Sequence, residues 1–355
     1  METPLINEHR AAGAKLAEYA GCALPASFGG FEEEYRAGRE AAAIFDTNWH
    51  AVVAVSGPDR VRYLNAILTN NIQSLVQEQG CLALLLNPQG HILAELEVCA
   101  QAERLLTLSH ASVRERTVAT LDKYIIMDDV QLEDLTDEVG SLAVEGPRAA
   151  AIVQQACGVA LEGLPELAIH EVNVERIPCQ MLRRSHFGEL GAEFIARRDR
   201  LPSLWTKVRA GVEARGGAAI GMEALNALRL EAGVPWFPAD FNETVIPHEA
   251  ALENTHISFS KGCYTGQEIV ERVRSRGQVH RRRVRLKFSP AAAPAASVPA
   301  LGTKLSAAGA EAGAVTSAAY SPAAGAAIGM GYVRGASNAA GSNLEYDGGK
   351  ATVIG

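Results

Sequence analysis

Residues 51–68 read AVVAVSGPDRVRYLNAIL, and residues 141–157 read SLAVEGPRAAAIVQQAC. Each runs from an apolar strand through Gly-Pro into a segment of helical spacing. In the first, Val61, Leu64 and Leu68 fall on one face and Asp59 is placed to cap the helix. The echo of VSGPDR (55–60) in VEGPRA (144–149) predicts two related α/β units packed together. Coincidence is the competing explanation, because Gly and Pro dominate strand-to-helix turns in general.

Working outward, residues 82–98 read as a hairpin: LALLL is a buried strand, NPQG the turn and HILAELEV the return strand. Alternation puts Ile92, Ala94, Leu96 and Val98 on one face of the return strand, with His91, Leu93, Glu95 and Glu97 on the other. Residues 112–126 open on a capping box, Ser112 and Glu115, and continue as a helix with Val118, Leu121 and Ile125 inward. Strand signals follow at 168–183. A helix with Leu204, Val208 and Val212 on one face stops at Gly216-Gly217, and GMEALNALRLEAG is a further helix ending at Gly233. Residues 234–256 contain PWFPADFNETVIPHE, an irregular connection long enough to read as functional. Beyond about residue 282, the short apolar runs GAVTSAAY, AAIGMGYVR and ATVIG predict a small β-barrel or sandwich. The stretch SPAAAPAASVPALG reads as a loop within it or as an interdomain linker.

The length of 355 residues accommodates two or three domains, and the net charge of −8 excludes a general nucleic-acid coat. No apolar run reaches the roughly 20 residues needed to span a bilayer. METPLINEHRAAGAKLAEYAG lacks the apolar core of a signal peptide, so the cytoplasm is the expected compartment. The six cysteines, at 22, 81, 99, 157, 179 and 263, form no C-x-x-C pair. A protein-built metal site is therefore not expected, and most of these thiols, Cys99 among them, read as small core residues.

Cys263 sits differently, within ISFSKGCYTGQEIVERVRSRGQVHRRRVR (257–285). In an extended segment Lys261 and Cys263 share a face. The ammonium group and the start of the following helix both favour a thiolate, whereas burial opposes it. Spacing alone leaves open a reactive thiol and a small buried residue at a tight turn. Arg272, Arg274, Arg276, Arg281, Arg282, Arg283 and Arg285 lie within 14 positions. They read either as a solvated helix end with an outward strand face, or as a site for polyanions such as RNA phosphates or a polyglutamate tail.

KGCYTGQEIVER, preceded in order by LRLEAGVPWF (228–237) and IPHEAALE (246–253), closely resembles the signature of the YgfZ-type folate-binding proteins, which are linked to iron–sulfur cluster assembly and repair. The wider superfamily is that of the glycine cleavage T-protein, a tetrahydrofolate-dependent aminomethyltransferase. GAKLAEYAGCALPASF, FDTNWHAVVAVSGPDR, LTNNIQSL and GAVTSAAYSP resemble its pattern nearly end to end. The resemblance implies an α+β fold, with two interlocked ferredoxin-like units and a six-stranded barrel forming a ring around a central tetrahydrofolate channel. The implied divisions are 1–140, 141–280 and 281–355.

By the same resemblance, Cys263 and Lys261 do the specific work and border the folate cavity, while Gly262, Tyr264, Gly266, Gln267 and Glu268 shape the motif. Glu193, in SHFGELGAEF (185–194), meets the pterin, with Arg229 and Asn70 as further folate contacts. Glu95 stands where T-proteins carry their catalytic aspartate, one methylene longer; the plain alternative is a solvated strand position. Ala94 replaces the family's first aspartate, His186 a tyrosine and Leu225 a folate-holding arginine. These departures, with KGCYTGQE, favour a tetrahydrofolate-binding accessory protein serving iron–sulfur client or assembly proteins. An aminomethyltransferase working with a lipoyl carrier and using Glu95 is the alternative. A scaffold binding RNA or protein through Arg272–Arg285 comes third.

Overall fold

The computed structural model describes residues 2–19, 21–277, 279–290 and 297–355. Both Gly-Pro echoes are strand-to-helix turns. His50–Ser56 leads into the helix Arg60–Ile67, and Val139–Glu145 leads into Ala149–Cys157. Gly57 has φ +97° and Gly146 has φ +131°. A β-carbon on Gly57 would lie 2.2 Å from the carbonyl oxygen of Asp129, so side chains are excluded by space as well as by backbone conformation.

Each turn belongs to its own sheet. The first sheet has five strands in the order Gly80–Leu86, Ile92–Ala100, Arg104–His110, His50–Ser56, Gln131–Asp134. The second has six: Ile169–Val174, Ile177–Arg183, Gly191–Arg197, Val139–Glu145, Ala43–Asp46, Ala218–Ala219. The third unit is a closed barrel of Arg281–Pro290, Ala326–Arg334, Ala310–Ser321, Lys304–Ala307, Asn343–Tyr346 and Gly349–Ile354. The fold is thus α+β with a six-stranded barrel at its C-terminal end. Residues 291–296 of the Ala/Pro stretch lie outside the described residues, and so does that part of the loop-or-linker expectation.

The two α/β units exchange segments, which corrects the contiguous divisions at 1–140 and 141–280. Ala43–Asp46 precedes the first sheet in sequence but pairs antiparallel with Val139–Glu145 in the second. Conversely, Phe237, Phe241, Leu252, Ile257, Tyr264 and Val270 pack into the core of the first unit, against Leu64, Leu84 and Leu96. Two local expectations also change. Asp59 leaves its helix uncapped and instead accepts the amide N–H of Asp129 at 2.9 Å. Ser112 lies in a short 3-10 turn and not in a capping box; its amide donates to His110 Nδ1 at 3.1 Å.

The connection after Gly233 is pinned by a buried ion pair. Arg229, on the helix Met222–Ala232, and Asp240, on the connection, are each 1% exposed and paired through Arg229 Nη1. Asp240 also accepts the Trp236 amide (3.0 Å), the Thr316 hydroxyl (2.7 Å) and the Ser317 hydroxyl (2.6 Å), the last two from the barrel. The Arg229 guanidinium lies 4.6 Å above the centre of the Trp236 ring. Arg229 is therefore a structural tie, not the folate contact expected from sequence.

Much of the arginine tract is engaged internally as well. Arg281 pairs with Glu249 (3.2 Å), Arg282 with Glu253 (2.7 Å) and Arg272 with Glu268 (2.8 Å). Arg274 covers the Phe259 ring, Arg283 donates to the Ala250 carbonyl, and Arg285 donates to the Glu231 carbonyl. Arg281, Arg282, Arg283 and Arg285 clamp the connection and the helix Met222–Ala232 to the first barrel strand.

Replacing Asp240 with alanine strands a buried guanidinium and frees the connection. The expected loss is about 3–5 kcal/mol in urea unfolding. An unfolding midpoint equal to wild type would show that the connection is held by its apolar contacts alone.

Candidate functional site

The hairpin alternation decides the site. Ile92, Ala94, Leu96 and Val98 are fully buried in the first core, so the opposite face of that strand carries Glu95 and Glu97. That face is not solvated. It forms one wall of a pocket between the two α/β units. Trp49, His50 and His110 come from the ends of neighbouring strands, Arg184 and His186 from the second unit, and Val234–Ala239 closes over them. Tyr19, Leu24 and Met222 complete the apolar side. Among the described residues the barrel lines none of it.

Glu95 reaches the pocket with its side chain 21% exposed, and its Oε1 lies 2.8 Å from His256 Nε2. His256 Nδ1 is in turn 2.7 Å from the Thr255 hydroxyl. Burial alone would raise the Glu95 pKa. The hydrogen bond and charge of His256, with Arg184 and His50 behind it, reverse this and hold the carboxyl below its ordinary range. Glu95 is an ionised group in a pocket and not a solvated strand position.

Glu97, two residues on, accepts from Arg184 Nε at 2.6 Å, with side chains 7% and 16% exposed. Burial opposes the Arg184 charge, but Glu97, Glu166 and Glu95 together hold its pKa well above the ordinary value.

Glu193 does not reach the pocket surface. It is fully buried, with Oε1 3.0 Å from His50 Nδ1 and Oε2 3.3 Å from His186 Nε2. The two imidazoles line the pocket in its place, which corrects the expectation of direct pterin contact. Burial lowers the His50 pKa, but the charge and hydrogen bond of Glu193 outweigh it, and the net shift is upward. His110, by contrast, is pushed down to about 4 by burial, with the charge of His50 adding to the effect. Its Nδ1 accepts the Ser112 amide, which leaves the ring proton on Nε2.

The cysteine motif lies elsewhere. Cys263 is exposed, whereas the other five cysteines are buried or half-buried. Lys261 Nζ donates to the carbonyls of Leu68 (2.7 Å) and Asn65, at the end of the helix Arg60–Ile67, and lies 4.7 Å from the Tyr264 ring centre. Burial brings Lys261 down to about 8, with Cys263 pulling the other way. Gly266, at φ +82°, would place a β-carbon 2.7 Å from the Asn87 carbonyl oxygen in the hairpin turn. Gln267 begins the helix Gln267–Arg276, Glu268 is exposed on its surface, and Gly262 has open space around it. Neither Lys261 nor Cys263 lines the pocket, so the motif does not border it as expected. Asn70 also stands apart from the pocket, and its amide donates to the Leu82 carbonyl at 2.7 Å.

Sequence reasoning missed His50, Glu97, His110, Arg184, Trp236 and His256. Glu97 was available from the alternation that placed Glu95. The others come from loops, strand ends and the single-turn helix Glu253–His256, which are too short or irregular to give a periodic signal. Among the described residues no cluster of histidine, cysteine and carboxylate side chains could hold a metal ion.

The raised pKa of His50 has a definite sign. The stability it contributes is fully present below the ordinary histidine value, about pH 6.5, and is lost as pH rises through the folded-state pKa. In an NMR titration His50 should titrate above an unperturbed histidine in the wild type and below one in Glu193→Gln. Equal midpoints in the two proteins would dissolve the pairing. The stability gap between them should also narrow as pH rises past the His50 midpoint.

Comparison with known proteins agrees with this architecture. The GCVT N-terminal domain family matches residues 5–261, and the glycine cleavage T-protein C-terminal barrel domain family matches residues 281–353. An aminomethyltransferase of Rubrobacter xylanophilus is 31% identical over 331 residues, covering 93% of this chain and 86% of that protein. An aminomethyltransferase of Moorella thermoacetica is 28% identical over 345 residues, 97% of this chain and 92% of that protein. The crystal structure of the glycine cleavage system aminomethyltransferase T from Bartonella henselae superposes with a TM-score of 0.89 at 26% identity, over 100% of this chain and 97% of that one. With both domain families matched in order and nearly the whole length covered, the chain belongs to the glycine cleavage T-protein family.

Proposed function

We propose that this protein binds tetrahydrofolate in the pocket between its α/β units and transfers a one-carbon, aminomethyl-type unit there. The observation that carries the reading is Glu95. It is an ionised, pocket-facing carboxylate held by His256, at the position matching the family's catalytic acid. Tetrahydrofolate supplies the nitrogen that carries or receives the carbon unit. Trp49 and Trp236 give the pocket flat apolar walls for a fused ring system, and Val234–Ala239 limits the entry of water. Glu95 is suited to accept a proton from an attacking amine, or to face the positive charge that develops as the carbon unit leaves its donor. His256 fixes the carboxylate's orientation through the 2.8 Å contact. The relatives named aminomethyltransferase support this reading over the accessory role that the sequence motif puts first.

The YgfZ-type role in iron–sulfur cluster assembly or repair is a second reading, favoured by one observation. Cys263 is exposed beside an ammonium group whose pKa falls to about 8, on a surface apart from the pocket. A thiol presented in this way is available to a partner in solution, and nothing in the transfer reading uses it.

Isothermal calorimetry should detect tetrahydrofolate binding to wild type and to Glu95→Gln with similar affinity. Transfer to a lipoylated carrier should drop by roughly 10²-fold or more in the variant, the ordinary scale for a lost acid–base group. Binding without any transfer by the wild type would reject the catalytic reading. In a host lacking its own copy, Cys263→Ala should then decide the second reading. Complementation equal to wild type removes the accessory role; loss of complementation with folate binding intact supports it.

A further inference from the structure

Glu145 ends the strand Val139–Glu145, is fully buried and lies outside the pocket wall. Its two oxygens take four donors, all from one turn of the second unit. Oε1 accepts the Ser185 hydroxyl (2.9 Å) and the amides of Phe187 (2.9 Å) and Glu189 (3.0 Å), and Oε2 accepts the amide of His186. The two remaining amides of the turn also go to side chains, Ser185 N–H to Glu166 (2.8 Å) and Gly188 N–H to the Ser185 hydroxyl (2.9 Å). Among the described residues, no amide from Ser185 to Glu189 donates to a backbone carbonyl. The shape of this turn is therefore set by carboxylates, Glu145 above all. The sequence echo shows that the strand-to-helix turn itself does not require Glu145: in the first unit the matching place, before Gly57-Pro58, is held by Ser56. Nor is stability the reason. Burial outweighs the charge of His186 and the donors of the turn, and the Glu145 pKa lies above its ordinary value. Folding disfavours the charged form, so the contribution of this group to stability falls as pH rises from the ordinary carboxyl range through the folded-state pKa. Space for the side chain is nevertheless built in, since a β-carbon on Gly191 would lie 2.9 Å from both Cβ and Cγ of Glu145.

We propose that Glu145 is a positioning residue: it fixes the turn Ser185–Glu189 so that Arg184 and His186 are presented to the pocket before anything binds. Arg184 immediately precedes the turn and His186 lies within it, and both line the pocket. The His186 ring stands edge-on to Phe45 and Trp49, with centres 5.3 and 5.9 Å apart, so a shift of the turn moves the ring against both. A carboxylate suits this task because both of its ends accept. Glutamine has the same length, but whichever way its amide is turned, the NH₂ end meets at least one backbone N–H of the turn. Serine, the residue of the first unit, is too short to reach it.

This inference rests on the folate reading above, and the test separates the two. Amide hydrogen exchange is measured on the free wild type and on Glu145→Gln, with thermal unfolding as the check of folding. If Glu145→Gln does not fold, Glu145→Asp, which keeps the charge and draws it back by one methylene, takes its place. The amides of His186, Phe187 and Glu189 should exchange on the order of tenfold faster or more in the variant, while those of the adjoining strand Gly191–Arg197 keep their rates. Tetrahydrofolate affinity by calorimetry should fall by about tenfold. At saturating tetrahydrofolate, transfer should stay within about threefold of wild type, the reverse of the pattern expected for Glu95→Gln. Unchanged exchange in the turn overturns the positioning role, and so does faster exchange with unchanged affinity; in both cases the folate reading stands. Exchange that rises equally through the second sheet, or transfer that is lost at saturation, overturns it as well. No binding of tetrahydrofolate to wild type overturns the folate reading and, with it, the role of the turn in a folate wall.

Discussion

The buried Arg229–Asp240 pair is the constraint on which the pocket depends. Residues 234–239 have no regular structure, yet they form one side of the site. An irregular segment keeps a defined shape only if its polar groups are satisfied and its ends are fixed. Asp240 does both at once, by accepting from Arg229, the Trp236 amide and two barrel hydroxyls. Three parts of the chain meet at one carboxylate: the helix before the connection, the connection itself and the barrel. The barrel takes no part in the pocket lining but bears on its shape through this joint.

Within the pocket the charges are separated by environment. Glu95 and Glu193 are kept ionised by histidine partners, although burial alone would neutralise them. His50 is driven toward protonation by Glu193, and His110 toward neutrality by burial and by His50. The result is a set of fixed dipoles and charges arranged before any ligand arrives, which is what electrostatic catalysis and selective recognition require. Within the 272–285 stretch, which looks like an open basic patch in the sequence, Arg272, Arg281 and Arg282 pair with Glu268, Glu249 and Glu253, and Arg283 and Arg285 donate to backbone carbonyls.

Much of the fold was legible along the chain. The Gly-Pro echo marks two strand-to-helix turns, because a positive φ with a carbonyl 2.2 Å from the β-carbon position admits only glycine at residue 57. The alternation of Ile92, Ala94, Leu96 and Val98 identified the buried face of the return strand, and glycine-broken apolar runs marked the barrel. The contiguous split of the two α/β units at 140 does not hold, because strand pairing is non-local. Nothing in AIFD, residues 43–46, indicates that its partner lies about a hundred residues away.

The site shows the same division. Sequence by itself nominated Glu95, by its match to the T-protein acid, and Cys263, by its position in KGCYTGQE. It also placed the chain in the wider T-protein superfamily, through motifs that run from one end of the chain to the other. Only the tertiary structure decided what those residues face. Glu193 turned out to be enclosed by His50 and His186, Arg229 to be bound to Asp240, and Glu97 to line the pocket with one oxygen unpaired. The reason is physical. Periodicity records which side of an element is apolar. Whether the polar side meets water, a partner or a cavity depends on elements far away in the chain, and only folding brings them together.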